Sequence, residues 1–288
     1  MGSLDFPSFM TILISGLCTG GVYGLFSSSF SFQLGALNVA DFSFGSWLML
    51  SMYLTFFMYK EWNIGIIPFG VILFGSYFII SFLMSKFIYI KRKTDDNMII
   101  TMGISLIIQN AATLLFSSYP RSLGIIEKTI VVGGVQITIT KLIMLFLSAI
   151  LLLGFQLFLN KTWTGKTIRA VVQNKEVASL MGINSNRVIN LAFSLSYVML
   201  AASGIMLVTL FSVEPTAGGF YQMMSFFICI IAGLGNIRGA FFSGLLIGFL
   251  TAILNIISSQ FAMVMMFLIF VIFLVVKPTG LFTAKSRG

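Results

Sequence analysis

The chain has 288 residues, 58% of them apolar and only 9% charged, with 17 basic against 8 acidic side chains and no histidine. A soluble domain carries about 25% charged residues, which excludes an ordinary globular protein. The missing histidine removes Ser-His nucleophilic catalysis and His-based metal sites or proton relays, and Cys18 and Cys229, each inside an apolar run, are too few for a disulfide framework.

Apolar runs close to the ~20 residues of a membrane helix predict spans at 9–32, 42–59, 64–90, 98–118, 141–160, 190–212, 221–235, 240–258 and 261–276. The first run is long and lacks a basic flank, so it reads as a span and not a cleavable signal. Lys86, Lys91, Arg92 and Lys93 form one basic cluster; Lys161, Lys166, Arg169, Lys175 and Arg187 form a second; Lys277, Lys285 and Arg287 form a third. Loops rich in Lys and Arg stay cytoplasmic, so the net charge of +9 records topology and implies no nucleic-acid partner. Nine alternating crossings place 86–97, 161–189 and the C-terminus inside and the N-terminus outside. Residues 1–59 hold no Lys or Arg, and eight full spans with re-entrant pieces fit nearly as well. The fold expected is an all-α polytopic membrane protein, one transmembrane domain over 1–288, with 119–140 outside and 161–189 inside.

Glycines interrupt the chain early, from Gly16 to Gly24 and again at Gly35, followed by Asn38, Ala40, Asp41 and Ser43. A carboxylate in hydrocarbon costs at least ~2.5–3.5 kcal/mol, so Asp41 needs a wet cavity, a partner or the interface. Arg238 is a plausible counter-ion, but the preferred reading leaves both residues solvated at the cytoplasmic interface. Gln33, Asn38, Gln109, Asn110, Gln222 and Asn236 are amides within or beside spans; such groups line a path for a polar solute or tie helices together.

Between the fourth and fifth spans, Ile130-Val131-Val132 and Val135-Gln136-Ile137-Thr138-Ile139 flank Gly133-Gly134 and predict a β-hairpin. It reads either as a simple connection or as a cap meeting an extracytoplasmic partner. The polar island after the fifth span contains Thr164-Gly165-Lys166-Thr167, a false phosphate-loop match, because Asn160 stands where the first glycine belongs. Residues 166–181 carry Ile168, Val171, Val172, Ala178, Leu180 and Met181 at helical spacing and predict one amphipathic helix. Gly182 stops it, and Asn184-Ser185-Asn186 offers caps for a second helix starting near Arg187. This element either lies on anionic headgroups or docks in a groove of a cytoplasmic subunit.

The second glycine-broken stretch runs from Gly218-Gly219 through Gly233-Leu234-Gly235-Asn236-Ile237-Arg238-Gly239-Ala240 to Ser243-Gly244. At an offset of 200, Gly35, Ala40, Phe42 and Ser43 match Gly235, Ala240, Phe242 and Ser243. Matched broken segments in two halves point to an internal repeat whose interface holds a pathway; close helix packing is the plainer use of Gly35, Gly233, Gly235, Gly239 and Gly244. Asn38, Asp41, Ser43, Gln222, Asn236 and Arg238 are the candidate pathway residues.

The run from Thr167 through Arg169, Glu176, Ala178, Ser179 and Gly182 to Asn184 resembles the coupling loop of branched-chain amino acid ABC transporter permeases. The segments 232–240, 244–248 and Lys277-Pro278-Thr279-Gly280-Leu281-Phe282 are similar to that family's final motifs in order and spacing. The resemblance implies a bacterial or archaeal inner-membrane importer subunit paired with a sister permease or a second copy. It further implies two cytoplasmic ATPases carrying ATP and magnesium, an extracytoplasmic solute-binding protein, and no cofactor on this chain. Arg169, Glu176, Ala178, Ser179, Gly182 and Asn184 are the ATPase-coupling residues so implied. One motif departs from the family: where Ala-His-Gly-Glu is usual, this chain has Ala40-Asp41-Phe42-Ser43. Other amino acids, urea, amides and small carboxylates therefore stay open beside branched-chain amino acids. An ion-coupled carrier or channel is the rival class, but it needs ionisable groups deep in the bundle, and only Asp41 and Arg238 qualify. A membrane enzyme has almost no acid, base or nucleophile to build on.

Overall fold

The computed structural model describes residues 6–37, 41–62, 66–89, 94–124, 128–258, 261–277 and 280–282. In chain order the helices are α1 (Phe6–Leu37), α2 (Phe44–Lys60), α3 (Ile66–Met84, running into a π-helical turn at Ser85–Tyr89) and α4 (Thr94–Phe116). A hairpin of β1 (Thr129–Val132) and β2 (Val135–Thr138) leads to α5 (Ile139–Lys161), α6 (Trp163–Gln173), α7 (Lys175–Leu180) and α8 (Ser185–Leu210). The chain ends with α9 (Ala217–Ala232), α10 (Ile237–Ile257) and α11 (Ala262–Val276). The nine predicted spans correspond in order to α1–α5 and α8–α11. Six of these are long and apolar enough to cross a membrane, and α9 and α11 are shorter apolar helices.

These helices are apolar around most of their circumference, which suits a lipid solvent. The most enclosed long span is α8, with 78% of its apolar window buried, whereas only 11% of that of α4 is buried. Accordingly α8 and α1 form the centre, and α3, α4, α5 and α11 turn side chains such as Val71, Ile107, Leu114, Leu153 and Val275 outward. Apolar surface on this scale is stable only beneath a bilayer or a partner.

The tightest contact in the bundle is between α1 and α10, which run antiparallel. Gly16, Gly20 and Gly24 line one face of α1 at four-residue spacing, and Gly244, Gly248 and Ala252 face them on α10. A Cβ at Gly20 would lie 2.8 Å from the Gly244 carbonyl oxygen, and one at Gly24 would lie 2.7 Å from that of Phe241. The backbones touch, so dispersion and close packing hold the pair where lipid offers no hydrophobic drive. Farther along the same seam Gly35 meets Gly235, so two glycines aligned at an offset of 200 are in contact.

β1 and β2 pair antiparallel from Thr129↔Thr138 to Val132↔Val135 around Gly133-Gly134. The Gln136 backbone amide donates to Thr11 Oγ1 at 3.0 Å, which seats the hairpin on the N-terminal end of α1. Arg121 closes the same end: it bridges to Val213 and lies over the Phe57 ring at 5.0 Å.

Candidate functional site

Two polar constructions stand out in the bundle, one in its interior and one at the end where α5 gives way to α6. The interior one is built on Asp41, in the break between α1 and α2. Asp41 is 0% exposed, which overturns the solvated reading. Its Oδ1 accepts from the Ser43 amide at 2.8 Å and the Ser43 hydroxyl at 2.6 Å. Its Oδ2 accepts from the Tyr197 hydroxyl at 2.5 Å and Gln33 Nε2 at 3.1 Å. Gln222 reaches across from α9, donating to the Asp41 carbonyl at 3.1 Å while its Oε1 accepts from the Gly45 amide at 2.6 Å.

The carboxylate thus sits at the N-terminus of α2, where unpaired amides and the helix dipole favour negative charge. That placement, with four donors from its own chain, stabilises it without a cation. Arg238 is not its counter-ion: its Nε donates to Gln156 at 2.8 Å, and the side chain is exposed. The one ion pair among the described residues, Arg121–Glu61, lies at the other end of the bundle. Of the six candidate pathway residues, Asp41, Ser43 and Gln222 therefore come together, Asn236 and Arg238 stand apart, and Asn38 lies outside the described residues. Tyr197 is the member that sequence reasoning missed. It reads as an ordinary apolar position of a span, and only the packing of α8 against α2 reveals its partner.

Replacing Asp41 by alanine strands the buried Tyr197, Gln33 and Ser43 donors, at about 1–3 kcal/mol for each unsatisfied group. Asp41→Ala is expected to lower the thermal unfolding midpoint of the purified protein sharply. Asp41→Asn, which keeps one carbonyl acceptor, should recover part of the loss.

The second construction is the polar island. Instead of one helix over 166–181 it forms two, broken at Asn174, whose extended backbone interrupts the helix and whose Oδ1 caps α7 by accepting from the Glu176 and Val177 amides at 3.0 Å each. Asn and Asp side chains compete for backbone donors in this way and so favour caps over helix interiors. Gly165 lies in the first turn of α6, where a Cβ would strike the Leu159 backbone; the Gly-Lys-Thr string serves a tight helix–helix corner. Gly182 ends the loop with φ of +82°, a left-handed conformation that glycine adopts without strain. Asn184 caps α8 through the Arg187 amide at 3.1 Å, as its position predicts.

The island is fixed to the bundle on one side and bare on the other. Ile168, Val171 and Ala178 are buried. Ser179 and Ser185 hydroxyls meet at 2.7 Å, tying α7 to the first turn of α8. Leu180 and Met181, in contrast, are 86% and 78% exposed, with Glu176 beside them in the first turn of α7. Arg169 donates to Asn160 at 3.1 Å and lines a cavity of about 650 Å³ between α6 and the α9–α10 turn.

That turn explains why two separated glycine-rich motifs occur together. The Leu281 amide donates to the Ile231 carbonyl at 2.7 Å, Asn236 Nδ2 donates to the Phe282 carbonyl at 2.7 Å, and Gly280 lies against Gly233. Gly239 leaves room for Asn236 and Phe282, and Asn236 Oδ1 accepts from the Gly239 amide at 2.9 Å. Residues 233–239 and 280–282 thus form one clasp at the N-terminal end of α10.

Comparison with known proteins agrees with this architecture. The family model described as "Branched-chain amino acid transport system / permease component" matches residues 12–276. The chain is 24% identical to the high-affinity branched-chain amino acid transport system permease protein LivH of Escherichia coli K12, over 97% of each chain. It is 23% identical to the corresponding BraD of Pseudomonas aeruginosa over 95% of each. It is 25% identical to a probable branched-chain amino acid transport permease LivH of Methanocaldococcus jannaschii, over 73% of this chain and 70% of that one. No solved structure matches the chain.

Proposed function

This chain belongs to the family of branched-chain amino acid transport system permease components, and on that premise we propose that it is the membrane subunit of an ATP-driven importer of amino acids, with branched-chain ones foremost. It resides in the cytoplasmic membrane of a bacterium or archaeon, beside a sister permease or a second copy. Two cytoplasmic ATPases bind ATP and magnesium, and an extracytoplasmic binding protein delivers the solute. This chain itself hydrolyses nothing and holds no cofactor.

The observation that carries the reading is the bare apolar tip of a capped helical loop, rooted in the bundle on its other face. Val177, Leu180 and Met181 project from α7 beside Glu176, a pattern suited to insertion in a groove of a partner. Arg169, Glu176, Ala178, Ser179, Gly182 and Asn184 are the coupling residues. Some present the tip and others hold it: Ala178 is buried, Ser179 ties α7 to α8, Gly182 turns the chain, and Asn184 starts α8.

From there α8 runs unbroken for 26 residues. Tyr197 lies twelve residues past Ser185, roughly 18 Å along the helix axis, and bonds Asp41. A push on α7 is therefore delivered through a stiff rod to the hub joining α1, α2 and α9. ATP-driven closure of the motors moves the paired loops, and the α1–α2 break turns that movement into alternating access. The test is ATP hydrolysis by the complex in nanodiscs, assembled from this chain, its ATPases and an extracytoplasmic binding protein. Solute-loaded binding protein should stimulate hydrolysis; indifference to it would contradict the reading.

A further inference from the structure

Resting on that reading, we infer that the outer cleft between α1, α9, α10 and α11 is a binding site for a zwitterionic α-amino acid with an apolar side chain, with Lys141 as its carboxylate-binding residue. The cleft has a volume of about 620 Å³, within the usual range of small-molecule sites. It lies among the outer halves of these helices, beside the hairpin, and Tyr23, Phe211 and Tyr221 contribute aromatic lining.

One wall is polar. Lys141, in the first turn of α5, donates to Ser15 Oγ at 2.7 Å and is only partly buried. An ammonium has three donors, and Ser15 is the single acceptor recorded for it among the described residues. Thr19 lies one turn along α1 from Ser15, on the same face. The Thr19 hydroxyl donates to its own helix at Gly16, and that of Thr251 on α10 does the same at Ile247. Both oxygens keep lone pairs for a cleft ligand, and Asn255 adds an amide. Much of the remaining lining is apolar and adaptable, with Met223 and Phe227 on α9 and Met266 and Phe267 on α11.

A cationic donor, hydroxyl and amide acceptors and an apolar lining in one cleft match the carboxylate, ammonium and side chain of an aliphatic amino acid. None of the described lining residues is acidic, so a second positive charge on the ligand finds no partner, and cationic amino acids are disfavoured.

The test uses the assembled transporter in nanodiscs, photolabelled with the diazirine analogue of leucine and digested. Label is expected on 217–232 and 262–276, suppressed by excess L-leucine. L-leucinamide, which lacks the carboxylate, should compete at least about tenfold less well, the loss of one charge-assisted contact. Lys141→Met should reduce labelling by about the same factor, and Lys141→Arg should retain most of it. Asn255→Leu, which leaves the cation in place, provides a second variant should Lys141→Met not assemble, and it too should weaken labelling. Equal labelling of wild type and variants, equal competition by leucinamide, or displacement by phosphatidylglycerol but not by leucine would overturn the site. ATP-driven leucine uptake in the same preparation is read separately. Its failure contradicts the importer reading; its success with unaltered labelling contradicts the cleft alone.

Discussion

Glu176→Lys is expected to abolish association with the ATPase subunits while leaving membrane insertion and yield unchanged. Glu176 is exposed in the first turn of α7, and its removal strands no buried partner. The bundle therefore has no reason to unfold, and a surface substitution of this kind changes stability by about 0.5 kcal/mol or less. A charge reversed inside a docked interface is another matter, because like charges brought together there cost several kcal/mol, at least a hundredfold in affinity. Gly182→Trp should do the same by another route, since a side chain at φ of +82° strains the turn that aims the tip. Detergent pull-down of the ATPase at wild-type yield by either variant would refute the docking role.

Gly244→Leu is expected to do the opposite, preventing assembly of the bundle itself. A Cβ at Gly244 falls on the Gly24 backbone, with no flexible side chain in the way that could move aside. Ordinary overpacking costs about 1–3 kcal/mol because neighbours shift; here the neighbour is a helix axis, and the α1–α10 seam must open along its length. The expected result is loss of monodisperse protein in gel filtration after detergent extraction. Gly154→Leu is the control, because a Cβ at Gly154 meets nothing within 4 Å.

The fold was largely legible in the sequence because lipid simplifies the code. Apolar length alone locates α1–α5 and α8–α11. The hairpin followed from Gly133-Gly134, and the start of α8 from Asn184. What sequence could not reveal was tertiary. Asp41 looked costly in isolation, and its solvation seemed the cheapest escape. The actual solution uses the amide end of α2 and Tyr197 from a helix 156 positions away. Arg238 looked like a counter-ion because charge was counted without geometry, whereas it bonds Gln156. The single helix expected over 166–181 failed at Asn174, a cap hidden inside a good amphipathic pattern. The glycines of 233–239 and 280–282 looked like separate motifs until the clasp joined them.

Most directly, the account requires that this chain move solute only when a separate subunit drives it. Purified chain in proteoliposomes, with and without its ATPases and ATP, is assayed for uptake of radiolabelled leucine delivered by the binding protein. Uptake is predicted only when ATPases and ATP are both present, and undiminished uptake by the chain alone would contradict it.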